Sequence, residues 1–228
     1  MPQANIDQEL CEAAERGNVA KILELLADGA NPGSKDSLAL VFAAAYGHLE
    51  CVKLLLPVSD AKAEQSLALR WAAQNGHEEC VRVLLPVSDA KADESLALRL
   101  AAEHGHVECV KLLIPESDPK ADGSDALRRA ARSGNSSCVR LLLAASQPLI
   151  EIEGLLGKVI EAGRAHIAAL LIEEEPRLLD ELNLSRSLAG AIENEHADLA
   201  LFLSSIIDQR EIFGVAPDRA SSRGVARI

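Results

Sequence analysis

At 228 residues the chain is long enough for one or two domains, and a net charge of −12 with a pI near 5 sets its surface against nucleic-acid phosphates. No apolar run approaches the ~18 residues that span a bilayer, and the opening MPQANID has neither the basic start nor the apolar stretch of a secretory signal. We therefore expect a soluble, cytoplasmic protein, and because aromatic residues are only 2% of the chain, its core must be Leu, Ala, Val and Cys.

Taken in order, residues 1–7 read as a lead-in to the first helical unit. Glu9 to Leu26 then gives two short helical patterns around Gly17, with Glu12, Glu15, Arg16, Lys21 and Glu24 on the water side. From Ser37 onward the chain repeats itself. Gly47, Gly76, Gly105 and Gly134 are spaced by twenty-nine residues, as are Cys51, Cys80, Cys109 and Cys138. Such a period marks a stacked array, because one short unit cannot bury its own apolar face.

The unit from Ser66 to Glu94 shows the plan. Ser66 is placed to cap a first helix from Leu67 to about Asn75, with Leu69, Ala72 and Ala73 on one face. Gly76 allows the left-handed turn, a second helix carries Cys80, Val81, Leu84 and Leu85, and Pro86 ends it. Ser37, Ser95 and Ser124 repeat the serine position. Past Pro148 the pattern thins, with Gly163 one period after Gly134, Ile167 at the cysteine position and Glu195 at a turn-glycine position. Seven helix pairs result. We expect one all-α solenoid over 1–208, comprising a cap at 8–35, regular repeats at 36–147 and degenerate repeats with a C-terminal cap at 148–208. Residues 209–228, with four arginines, read as a tail in which Ile212 and Phe213 could dock.

The stretch LALRWAAQNGHEECVRVLL resembles the ankyrin repeat, whose TPLHxAA helix is followed by a glycine-histidine turn and a leucine-rich second helix. Leu67, Ala68 and Arg70 depart from the Thr, Pro and His of that motif, and the unit is about four residues shorter than the usual ~33. The shortening falls where the family projects a β-hairpin finger, so short loops are expected, with a finger-like turn kept only in DGANPGSKD. The uniform repeats and the PVSDAKA loop resemble bacterial ankyrin arrays. The resemblance implies a non-enzymatic module that binds another protein through its concave surface. There the two residues before each turn glycine would face the partner: Ala45 and Tyr46, Gln74 and Asn75, Glu103 and His104, and Arg132 and Ser133. It is expected to be a monomer without cofactor, metal, nucleic-acid or membrane partner. Two other readings stand beside it: the recognition arm of a translocated bacterial effector or of an enzyme acting in trans, and a self-associating scaffold exposing Phe202 and Phe213.

Three ladders bear on chemistry. The repeat cysteines sit about one helix-packing distance apart, ~8–10 Å, too far to bridge, and are read as reduced core thiols, with Cys11 the most reactive. His48, His77 and His106 occupy the turn-histidine position, where the ring is expected to satisfy local backbone, so His104, His106 and Cys109 are not read as metal ligands. Arg70, Arg99 and Arg128 recur one per repeat, and pairing with Asp60, Asp89 and Asp118 would fix loop to helix. The alternative is a basic strip grasping an acidic partner segment.

Overall fold

Four of the repeats open with a turn that L-residues rarely make. In the computed structural model, which describes residues 3–146, 154–174, 176–179 and 182–212, Lys35, Asp36 and Ser37 have φ of 47°, 57° and 62°. The same left-handed turn recurs at residues 64–66, 93–95 and 122–124. Left-handed L-residues cost ~1–2 kcal/mol each, so each turn requires compensating bonds. Two kinds supply them.

The first comes from the next connection. Ser37 Oγ accepts the Asp60 amide at 2.8 Å, Ser66 Oγ that of Asp89 at 2.8 Å, and Ser95 Oγ that of Asp118 at 2.9 Å. These serines are therefore not the N-caps that their position led us to expect. Their left-handed φ directs the hydroxyl across to the following repeat rather than down its own helix. The second comes from the arginine ladder. Arg70 donates to the Glu64 carbonyl at 2.6 Å, Arg99 to that of Asp93 at 3.0 Å, and Arg128 to those of Asp122 and Gly123.

The described residues from 3 to 146 form one compact unit. Its first helices are α1 (Gln3–Glu15), α3 (Ser34–Ala45), α5 (Ala63–Gln74), α7 (Ala92–His104) and α9 (Ala121–Ser133). Each packs on the next, with paired alanines such as Ala43–Ala44 and Ala72–Ala73 fully buried beside Leu40 and Leu69. Small side chains let helices approach closely. The second helices are α2 (Val19–Ala27), α4 (Leu49–Leu55), α6 (Glu78–Leu84), α8 (Val107–Leu113) and α10 (Ser136–Ala145). Proline sets their length. Pro57 and Pro86 each enter a short 3-10 turn, so α4 and α6 stop at seven residues, whereas Ala144 replaces proline and α10 runs to ten.

Turn glycines are needed for two reasons. Gly17 and Gly47 have φ of 70° and 73°, and a Cβ at either would lie 2.6 or 2.5 Å from the ring of His48 or His77. That ring serves the preceding repeat rather than local backbone: His48 Nε2 bonds the Glu15 carbonyl at 2.8 Å, His77 Nε2 that of Ala45 at 2.9 Å, and His106 Nε2 that of Gln74 at 2.9 Å. Asn135 replaces the histidine and donates to Ala102 and Glu103.

Two further expectations change. Residues 3–7 belong to α1, where Asp7 is buried and Oδ1 accepts the Asn31 amide at 2.8 Å, so the cap repeat uses a carboxylate where later repeats use serine. The DGANPGSKD connection is no separate finger, since it ends in the same left-handed turn as the others.

The described residues from 154 to 212 form a second compact unit. Within it α11 (Leu155–Glu161) and α12 (Ala165–Glu174) make one pair, and α13 (Leu184–Glu193) and α14 (Ala197–Ile212) another. Val159, Ile167, Leu171, Leu199 and Leu203 are fully buried, so Ile167 does take the cysteine position in the core. α14 carries the helix past residue 209, the expected start of the tail, to Ile212. Phe213 and the arginines beyond it lie outside the described residues. Described helices therefore number fourteen, seven pairs, and no described helix is long and apolar enough to cross a membrane.

Candidate functional site

With Leu40, Ala43 and Ala44 turned into the core, the opposite stripe of α3 is Leu38, Phe42 and Tyr46, four residues apart and so one above another. The same stripe reads Leu67, Trp71, Asn75 on α5, Leu96, Leu100, His104 on α7, and Asp125, Arg129, Ser133 on α9. On α1 it is Gln8, Glu12, Arg16, where Gln8 and Arg16 both bond the Glu12 carboxylate. Thus the residues singled out by sequence form only the last rung of a larger face.

Of those residues, Tyr46 is 52% exposed, and Asn75, His104, Arg132 and Ser133 are also exposed. Ala45, Gln74 and Glu103 are half-buried. The Glu15 carboxylate raises the Tyr46 phenol pKa, chiefly by its charge and then by a hydrogen bond. Asn75 Nδ2 donates to the Ala45 carbonyl at 2.8 Å, which holds that side chain against the preceding repeat. His104 Nδ1 bonds the Leu100 carbonyl at 3.0 Å, and its ring stacks on His106 with centroids 6.2 Å apart. One ring nitrogen of each histidine is thus occupied by backbone.

The arginine ladder has different partners from those expected. Arg70 reaches Asp93 at 3.3 Å, and Arg99, nine-tenths buried, reaches Asp122 at 3.0 Å and Asp125 at 3.4 Å. Asp60, Asp89 and Asp118 are already engaged, because their Oδ1 atoms accept the amides of Lys62, Lys91 and Lys120 and close tight turns. Arg129 Nε donates to Asp125 at 2.5 Å and its Nη1 to Glu103 at 2.6 Å, and these carboxylates raise its already high pKa.

Sequence reading missed the apolar rungs, Phe42, Trp71 and Leu100, and the leucines one turn before them. A signal was present: they recur at the repeat period on a helix whose core face is already filled. On the second helices the charges behave as a solvated face, with Lys53–Glu50 at 2.8 Å and Lys111–Glu108 at 2.7 Å, both substantially exposed. All five cysteines are free and buried. Cys11, at 7%, keeps the largest residual exposure, and burial raises its pKa and so opposes reactivity.

A family model described as ankyrin repeats (3 copies) matches residues 10–95 and 86–152. Similarity also extends to the ankyrin repeat protein nuc-2 of Neurospora crassa, 47% identical over 57 residues. That match covers 24% of this chain and 5% of the relative, so the chain spans only a small part of that protein.

Proposed function

The chain belongs to the ankyrin-repeat family, whose members are generally protein-interaction modules, and on that premise we propose that it binds one partner protein through the exposed face of its first helices. Ala45, Tyr46, Gln74, Asn75, Glu103, His104, Arg132 and Ser133 form the rim of that surface. One observation carries the reading. Beneath these positions the framework is invariant, alanine at 43, 72, 101 and 130 and at 44, 73, 102 and 131, while the exposed rung changes from Tyr46 to Asn75 to His104 to Ser133. Stacking fixes the surface in advance, so little ordering entropy is lost on association. Arg70, Arg99 and Arg128 support the left-handed turns and are not assigned to the partner.

The test is affinity capture with the full chain and with a variant carrying Tyr46→Ala, Gln74→Ala, His104→Ala and Arg132→Ala, its fold verified by circular dichroism. A protein retained by the parent chain and lost by the variant is the expected result. Equal retention by both sinks the assignment. A second reading, self-association, is favoured by Ile192 and Leu201, 62% and 72% exposed in the second unit. Leu201 falls where the repeats carry Lys53, Arg82 and Lys111, and a mass that rises with concentration in light scattering would select that reading.

A further inference from the structure

We infer that the surface proposed above takes an amphipathic α-helix, laid across α3, α5 and α7, with its apolar stripe on Leu38, Phe42, Leu67, Trp71, Leu96 and Leu100 and a basic end over α1. The inference rests on the binding-face reading and specifies its partner.

Stacking does not require these six residues to be apolar. At the Trp71 position α1 carries Glu12 and α9 carries Arg129, and at the Leu67 position they carry Gln8 and Asp125, yet α1 packs on α3 and α7 on α9 as the others do. Three consecutive helices nevertheless place large apolar side chains there. Trp71 is 40% exposed, and the other five are half-buried. The patch is therefore bounded, with polar rungs on both flanks, as a docking surface is.

Spacing selects the occupant. Packed helices lie ~8–10 Å apart, and seven residues of α-helix advance about 10.5 Å. One apolar residue every two turns of a crossing helix thus meets each successive rung. A strand presents same-face side chains every ~6.7 Å and falls out of step. Charge selects the polarity. Glu12 and Glu15 stand beside the strip at α1, offset only by an exposed Arg16 at 3.4 Å from Glu12, on a chain of net charge −12, whereas at α9 Arg129 is held between Asp125 and Glu103 at 2.5 and 2.6 Å. A cationic end is favoured over α1, and the other end meets a closed ion-pair cluster.

Trp71 is the sole tryptophan, so its emission reports this surface alone. The probe is a displayed library of peptides about three heptads long, built once on a helix-favouring Ala/Lys/Glu frame and once on an alternating Thr/Val frame, and selected on the full chain. Expected are helical-frame binders with apolar residues recurring every seven and Lys or Arg at one end. They should shift Trp71 emission to the blue, weaken at least about tenfold, ~1.4 kcal/mol, with Trp71→Gln, and change preference towards acidic ends with the Glu12→Lys, Glu15→Lys pair. Leu67→Gln gives an independent check, since Gln8 already occupies that position in α1. Selection from the alternating frame only, binders insensitive to Trp71→Gln and Leu67→Gln, or no binder at all overturns the helix assignment. Binders insensitive to those changes but lost with the four-alanine variant leave the binding-face reading standing; binders insensitive to both sets overturn it too.

Discussion

In the first unit the starts of the repeat helices α5, α7 and α9 are held by bonds between neighbouring repeats or from an arginine on the same helix, whereas in the second unit the start of α13 is held by its own cap. In residues 3–146 a connection is held by a serine hydroxyl twenty-three residues back. In the second unit α13 has an ordinary cap, Asn183 Oδ1 accepting the Arg186 amide at 3.0 Å. The histidine-glycine contact survives there, because a Cβ on Gly163 would lie 2.7 Å from the His196 ring. What the degenerate repeats have changed is thus the connection rather than the turn. A short connection forces left-handed residues and must be held from outside; the Asn183 cap holds its own helix.

The largest test of this contrast uses alkali. Buried thiols occur only in the first unit, and burial raises Cys80, Cys109 and Cys138 to about 11 from the ordinary 9.0. The folded state therefore holds protons that the unfolded chain releases first. The stabilisation is fully present below pH 9 and is lost as pH rises through 11. Hydrogen exchange between pH 8 and 10.5, corrected for intrinsic rates, should show protection falling in α6, α8 and α10 and not in α12, where Ile167 replaces the thiol. Equal loss in both units would break the comparison.

A smaller effect is expected from the connection itself. Ser66→Ala leaves the part-buried Asp89 amide without its acceptor and should cost about 1–3 kcal/mol, with the loss spreading to the repeats on both sides. Asn183→Ala should cost ~1 kcal/mol and loosen α13 alone. Urea titration gives the magnitudes, and residue-resolved exchange gives the spread.

The smallest is a gain. Glu195 stands at a turn-glycine position with φ of 58°, so Glu195→Gly should stabilise the second unit by ~1 kcal/mol or less. A loss would show that the glutamate side chain supports the turn.

Much of this architecture was legible in the residues. The repeat period, the alanine-leucine core face and the turn glycines follow from spacing and size alone. The left-handed turns were not legible, because Glu64, Gln65 and Ser66 carry no conformational signature and adopt positive φ only when a neighbour compels them. The arginine partners were misassigned for the same reason: Asp89 is nearer in the motif, but its carboxylate is already used by the Lys91 amide. Within the candidate face, the rim pairs could be named from the turn glycine, while the apolar rungs were obscured by composition, since a leucine on a helix reads as core until its burial is known.

The serine and histidine bonds share a direction along the chain. Ser66 precedes Asp89, and the Ala45 carbonyl precedes His77, so the accepting group always belongs to the earlier repeat. During synthesis on the ribosome, each acceptor has therefore emerged before its donor exists. The array can be completed one repeat at a time from its amino end, with every new repeat arriving at a docking edge already built.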